Sequence, residues 1–369
     1  MRTAVSLDSV SSTPPPADSA ARVSIILPAR DEAAHITECV RAIRESTWPN
    51  LELVVIDDHS TDGTGDLARE ASAGDPRVHV ISAPTLPVSW FGKQWACQVG
   101  AQHATGSLLL FTDADTRHSP DLVTRLVAAR ELRGAELMSV AGRQDMLTVW
   151  ERAVQPSIFS LILLRYGSTD SLERAIRDSD VIANGQCFLI SRDGYDVVGR
   201  HEAVREYVAE DVMMAQAVRR SGRRVSLVLG IGQLRTRMYD SLSSLMRGWG
   251  KNVYAGGRFA MRGGAAGRWL YPLLLLAFPL ALLLPFVVLC TTGAARAFGA
   301  TEATTLLIWS VLASGGVLGM FAVANYINRD PIRRAFLAPL GAAVLLAICV
   351  LAVARGRRVE WKGRDYRAR

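Results

Sequence analysis

Two hydrophobic patterns divide this sequence. Between residues 22 and 145, short apolar runs of strand length alternate with stretches whose apolar positions recur at helical spacing. Residues 23–27 predict a strand that ends at Pro28, and 32–45 a helix. Residues 51–56 and 62–73 repeat the pair. Residues 77–81 predict a third strand, 92–104 a helix, 107–112 a fourth strand, 120–133 a helix and 137–141 another strand. This alternation predicts an α/β domain with a mostly parallel central sheet, wound in the right-handed sense. The stretch beyond is less regular. Residues 149–164 and 209–220 read as helices, and 186–191 and 225–229 as extended. Residues 241–258 read as an amphipathic helix carrying Leu242, Leu245, Trp249 and Tyr254. That pattern suits a helix lying on a membrane and a helix packed on a core alike.

The second pattern fills the last hundred residues. Residues 269–290, 303–327 and 336–354 carry no charge over 22, 25 and 19 positions. About 20 apolar residues span a bilayer core, so each run is long enough to be a transmembrane helix. Pro272, Pro279 and Pro285 in the first run predict a re-entrant segment or a broken hairpin. Three full crossings from a cytosolic domain would leave the basic tail outside, against the positive-inside tendency. An even number of crossings and a cytosolic tail are therefore expected. The organisation that follows is a disordered polar arm at 1–21, a catalytic domain at 22–260, a membrane region at 261–354 and a basic tail at 355–369.

Composition sharpens this picture. Of 369 residues, 49% are hydrophobic, and the mean hydropathy of +0.17 makes a purely soluble enzyme a poor fit. The net charge of +7 gathers around the apolar runs and in the tail, which suits an anionic membrane surface. No nucleic-acid recognition motif accompanies it. Cys39, Cys97, Cys187, Cys290 and Cys349 form no CxxC pair, as expected of a reducing compartment. The six histidines lack zinc-ligand spacing. Residues 1–21 have no apolar core and do not read as a signal peptide.

The candidate chemistry lies where strands end. In an open parallel sheet, ligands bind beyond the C-terminal strand ends, at the switch point of strand order. After strand one comes Pro28-Ala-Arg-Asp-Glu32, after strand two Asp57-Asp58-His-Ser-Thr-Asp-Gly63, and after strand four Asp113-Ala-Asp115. Carboxylates crowded on one rim cost stability unless a cation or a donor-rich ligand joins them. A divalent cation, Mg²⁺ or Mn²⁺, with phosphate oxygens meets that need. Each acidic residue alone could instead cap the helix that follows.

These residues carry a family resemblance. Val23-Ser-Ile-Ile-Leu-Pro-Ala-Arg-Asp-Glu32, Val55-Ile-Asp-Asp-His-Ser-Thr-Asp-Gly-Thr64 and Thr112-Asp-Ala-Asp115 resemble family 2 glycosyltransferases of the GT-A fold, the nucleotide-diphospho-sugar transferase-like architecture. Gly92-Lys-Gln-Trp-Ala-Cys97, Arg237-Met-Tyr239, Gly248-Trp-Gly-Lys-Asn252 and Trp361-Lys-Gly-Arg364 resemble the membrane-bound subgroup associated with hopanoid and carotenoid biosynthesis. Members of that subgroup often begin with a membrane helix, whereas this chain begins with a polar arm.

The resemblance implies roles. Pro28, Arg30 and Glu32 would line the nucleoside site. Asp58 would accept from the base, with Asp57 supporting the turn. Asp113 would face the ribose or sugar, and Asp115 would hold the metal on the diphosphate. Lys93 would face the phosphate or the donor sugar; the segment is not a P-loop, since Pro87 and Gln94 stand where Gly and Ser or Thr are required. Glu210-Asp211 resembles the acidic pair that supplies the catalytic base, Asp211 being the better match. Gly185 and Gln186 would floor the acceptor side. Arg247 and Trp249 loosely match an Arg-Trp element that closes over the diphosphate, but the Gln-x-x-Arg-Trp form is absent.

The resulting expectation is a metal-dependent, inverting glycosyltransferase of the inner (plasma) membrane. It would be multi-pass, with its catalytic domain cytoplasmic. Its donor would be a nucleotide-diphosphate sugar, a UDP-sugar in the first instance. Its acceptor would be a lipid such as a hopanoid or a carotenoid-type isoprenoid. The alternatives are a polyprenyl-phosphate glycosyltransferase and a non-catalytic membrane scaffold.

Overall fold

The computed structural model describes residues 6–261, 264–299 and 304–367. The chain forms two compact units. The first comprises Met1–Asp145, Tyr166–Met238 and Arg358–Arg369; the second comprises Met146–Arg165 and Tyr239–Arg357. This division differs from a single boundary near residue 260.

In the first unit, β1 (Val23–Ala29), β2 (Leu51–Asp57), β3 (Val78–Ser82) and β4 (Leu108–Thr112) are mutually parallel in the order β3-β2-β1-β4. Between them run α1 (Ile36–Arg44), α2 (Thr64–Ser72) and α3 (Gly92–His103). β1, β2 and β4 are near-continuous Ile, Leu and Val runs, as strands buried on both faces require. The sheet continues through β7 (Cys187–Ser191), β6 (Leu137–Gln144), β8 (Val225–Thr236) and the short β5 (Thr116–His118). β7 runs antiparallel to both β4 and β6, while β6 and β8 are parallel. The strand order reverses between β1 and β4, so the switch point lies where Arg30 and Asp113 leave the sheet. α4 (Leu122–Arg133), α6 (Thr169–Glu173), α7 (Arg192–Val197) and α8 (Glu210–Arg220) complete the helices of this unit.

One acidic residue is buried at the opposite, N-terminal end of the sheet. Glu52 takes hydrogen bonds from Ser24, from the Thr105 and Gly106 amides (2.6 and 3.2 Å) and from Arg22 (2.9 Å). Burial alone would raise its pKa; the hydrogen bonds from Ser24, Thr105 and Arg22 outweigh it and bring Glu52 from 4.5 to about 2.

Both termini depart from expectation. Residues 6–20, read as part of a disordered arm, lie against the domain. Leu7 is fully buried in the core, Ser6 bridges to Leu229, and Arg125 Nη1 donates to the carbonyls of Leu7 (3.0 Å) and Val10 (2.5 Å). The Leu7 anchor, the Arg125 guanidinium, and hydrogen bonds from Gln233 to Asp8 (2.8 Å) and from Asn50 to the Ala20 carbonyl (3.0 Å) hold a segment of otherwise polar composition. Residues 1–5 lie outside the described residues. At the other end, β9 (Arg358–Trp361) and β10 (Arg364–Arg367) form an antiparallel hairpin. Residues 368–369 are outside the described set.

The second unit contains α5 (Val149–Tyr166), α9 (Leu242–Lys251), α10 (Gly264–Ala297), α11 (Thr304–Ile327) and α12 (Ala338–Arg355). Residues 300–303, including the first residue expected of the middle span, are outside the described set. The three prolines do not break the first apolar segment: α10 is one helix of 34 residues. A buried proline removes one backbone bond, and packing in apolar surroundings lets the helix tolerate that loss. Three helices, 264–297, 304–327 and 332–355, are long and apolar enough to cross a membrane. Leu273, Leu284, Trp309 and Leu312 on α10 and α11 face outward, an apolar surface suited to lipid. α12 packs against α9 and α10, and Gly341 sits so close to the Ala153 carbonyl of α5 that a Cβ there would lie 2.0 Å from it.

Candidate active site

The site is built at the C-terminal ends of β1, β2 and β4. The loops after β1 and β2 are laced together. Asp31 N donates to Ser60 Oγ (3.0 Å), Glu32 N to Thr64 Oγ1 (2.7 Å) and Ala33 N to Asp62 (2.9 Å), while Thr61 N donates back to Asp31 (2.8 Å). Asp57 accepts from Ser60 N (3.1 Å). Gly65 lets the Asp57 carboxylate lie close, because a Cβ there would meet Asp57 Oδ2 at 2.6 Å and push it aside. Pro28 remains inside β1, half-buried.

The lacing places Arg30, Glu32 and Asp58 together. Arg30 Nη1 donates to the Asp58 carbonyl (2.5 Å) and to that of His59 (3.2 Å). Asp58 is buried, and its carboxylate is gripped by Arg364 through two N–H donors, at 2.6 and 3.2 Å. Lys362 Nζ reaches Glu32 (2.8 Å) and the Asp31 carbonyl (2.9 Å). Tyr366 stacks on Phe91 with ring centroids 4.3 Å apart and accepts from Gly92 N (3.3 Å). Arg364, Lys362 and Tyr366 were missed as site residues. Their basic context was read as a lipid-headgroup signal, and only the Trp-Lys-Gly-Arg motif hinted otherwise.

Across the switch point lie Asp113, Asp115, Lys93, Glu210 and Asp211. Lys93 bridges Asp113 (2.8 Å) and Glu210 (2.7 Å). Burial opposes its charge, but Asp113 and Glu210 outweigh that and hold its pKa well above the usual lysine value. Burial likewise works to raise Glu210, and Lys93 overcomes it, so Glu210 is lowered. Asp115 is different. Burial, then Asp113 and Glu32, push it up to about 8, and its Oδ1 is buried without a hydrogen-bond partner. An orphaned carboxylate oxygen next to a second aspartate is the donor set a hard divalent cation takes, with phosphate oxygens completing the shell. Asp113 and Asp115 therefore fit such an ion.

Asp211 stands at the start of α8. It accepts from Gly185 N (2.6 Å) and from its neighbour Val212 N (2.8 Å). Burial, then Glu210, raise it to about 7, against which Lys93 and the two amides pull. Gly185 leaves no spare room, since a Cβ would lie 3.0 Å from Asp211 Oδ2. Gln186 ties this floor to β4: its carbonyl accepts from Thr112 Oγ1 (2.8 Å) and Asp113 N (3.3 Å), and its side chain accepts from Gln144 (3.0 Å) and Asn184 (3.1 Å). Gln144 and Asn184 are positioning groups that sequence reading passed over. Arg247 and Trp249 belong to the second unit, on α9; Trp249 is buried against Tyr239, and Arg247 donates to Ser243.

The profile of the glycosyl transferase family 2 matches residues 24–199. Those residues, just under half of the chain, are similar to that family's domain. A curated relative, 4,4'-diaponeurosporenoate glycosyltransferase of Staphylococcus haemolyticus, is 25% identical over 240 residues. The match covers 63% of this chain and spans 61% of that relative's length. In fold, the chain is similar to a mannosyltransferase from Pyrobaculum calidifontis solved with GDP-Man and Mn²⁺. That likeness has a TM-score of 0.57 at 22% identity, and covers 94% of this chain and 90% of the other. The chain thus carries a region similar to family 2 glycosyl transferases, with a GT-A-like sheet and apolar helices suited to membrane association.

Proposed function

We propose that the protein transfers a sugar, with inversion, from a nucleoside diphosphate sugar to a carboxyl or hydroxyl group of an isoprenoid lipid. UDP is the first nucleotide to test. The observation that carries this reading is the juxtaposition, on one rim, of an orphaned Asp115, a Lys93 bridge and an Asp211 seated on Gly185. The relative's name, which specifies a carboxylate-bearing acceptor, supports the acceptor class.

The residues would act as follows. Arg30, Glu32 and Asp58 hold the nucleoside. Lys93 faces the anionic end of the donor. Asp113 and Asp115 hold a divalent cation, which supplies neutralisation of charge on the departing diphosphate. Asp211 receives the proton of an acceptor hydroxyl as its oxygen bonds to the anomeric carbon. The anomeric bond to the phosphate oxygen breaks, and the nucleoside diphosphate leaves with that electron pair. A carboxylate acceptor is already deprotonated and needs Asp211 only to orient it. Anchoring the domain beside a lipid acceptor raises the acceptor's effective concentration.

The membrane topology follows from two supports. The β9–β10 hairpin belongs to the same compact unit as the catalytic domain, so the chain returns to the side it left. That calls for an even number of crossings. Arg258 and Arg262 precede α10 and Arg268 lies near its start; Arg329, Arg333 and Arg334, with Asp330 among them, follow α11, whereas Arg296 is offset by Glu302. The positive-inside tendency then favours α10 and α11 as the two crossings, with α12 packed on α10 and α9 without completing a third. The decisive experiment for the activity is mass spectrometry of total lipids from cells with and without the protein. A glycolipid present only with the protein supports the reading; an unchanged lipid profile overturns it.

A further inference from the structure

We propose that the β9–β10 hairpin is a wall of the donor site, and that Arg364 and Lys362 are positioning residues for the nucleoside diphosphate. This rests on the donor reading above. Three observations carry it. First, the hairpin touches every residue grouped at the nucleoside end. Arg364 binds Asp58, Lys362 binds Glu32, and the Lys362 carbonyl accepts from Arg30 Nε (3.2 Å). Second, the bonds run in both directions and are reinforced by the Tyr366–Phe91 stack, one residue from the helix that carries Lys93. A loosely resting tail would not be tied at five places. Third, the charges balance. A dianionic ligand approaching a buried Asp58 and a half-buried Glu32 would be repelled; Arg364 and Lys362 cancel both charges.

Arg364 does not exhaust Asp58. A carboxylate offers about four acceptor sites, and the guanidinium fork uses two. Asp58 is thus fixed in one orientation and still able to accept from a base N–H. A planar fork does this where a lysine would not.

The test uses the full chain in detergent with Mn²⁺, titrated calorimetrically with UDP and with GDP. Arg364→Ala is expected to weaken whichever diphosphate the wild type binds by about tenfold or more, and Arg364→Lys to recover only part of that loss. Bound diphosphate is expected to slow tryptic cleavage after Arg364 in the wild type. Unchanged binding by Arg364→Ala overturns the inference. Tighter binding, or cleavage accelerated by nucleotide, overturns it too, since the hairpin would then be a plug that the donor expels. Where Arg364→Ala does not fold, Lys362→Gln takes its place: a roughly threefold loss supports the inference and unchanged affinity overturns it. A wild-type chain that binds neither diphosphate overturns the donor reading and this inference together. Wild-type binding that the variants leave intact overturns this inference alone.

Discussion

The two ends of the central sheet treat a buried carboxylate in opposite ways. At the N-terminal end Glu52 is surrounded by donors and drops to about 2. At the C-terminal rim Asp115 rises to about 8 and Asp211 to about 7. The same fold therefore satisfies one carboxylate completely and leaves Asp115 with an oxygen that has no partner. Full satisfaction marks a structural role, and the shortfall marks the place where a ligand is to supply what the chain withholds.

The contrast can be broken by substitution. The largest effect is expected at Asp211. Asp211→Asn should lower transfer to a hydroxyl acceptor by about 10²–10⁴-fold while nucleotide binding persists, measured as turnover beside calorimetric affinity. Retained turnover would remove Asp211 as the base. The pH profile bears on the same residue. A base must be deprotonated, so the wild-type rate with a hydroxyl acceptor should rise with pH and level off above about 7. A rate independent of pH between 5 and 8 would contradict it.

Asp115→Asn should cost about 10²-fold in turnover and abolish the metal dependence of nucleotide binding. It should also raise the thermal stability of the metal-free protein above about pH 8, where Asp115 is ionised beside Asp113. A fall in melting temperature would contradict that. Gly185→Ala, which presses on Asp211 without altering its chemistry, should cost roughly tenfold in turnover, less than a full ångström of misplacement would. Glu52→Gln should leave catalysis intact and lower stability by about 3 kcal/mol at pH 7, from a shift of 4.5 to about 2. That stability is fully present above pH 4.5 and is lost as pH falls towards 2, so the variant should show a flatter acid limb in thermal unfolding.

Local pattern carried much of the architecture. The strands at 23–27, 51–56 and 107–112 announced themselves because both their faces are buried. The acidic residues at their ends were legible because strand ends in a parallel sheet share a rim. β5 was missed, since three residues hold no periodicity. The prolines of α10 argued for a break that the packed helix does not make. Leu7 was hidden because one anchor in a polar stretch leaves no pattern. Arg364 lay furthest from view: its partner is 306 residues away, and its surroundings are those of any basic tail.

That separation has a consequence for biosynthesis. At roughly 5–20 residues per second, a ribosome makes Asp58 about 15–60 s before Arg364. Throughout that interval Asp58 has no guanidinium to face, and the apolar helices emerge before one arrives. The Asp58–Arg364 contact is thus made only after the apolar helices have been translated, and a nascent chain acquires its finished rim at the very end of synthesis.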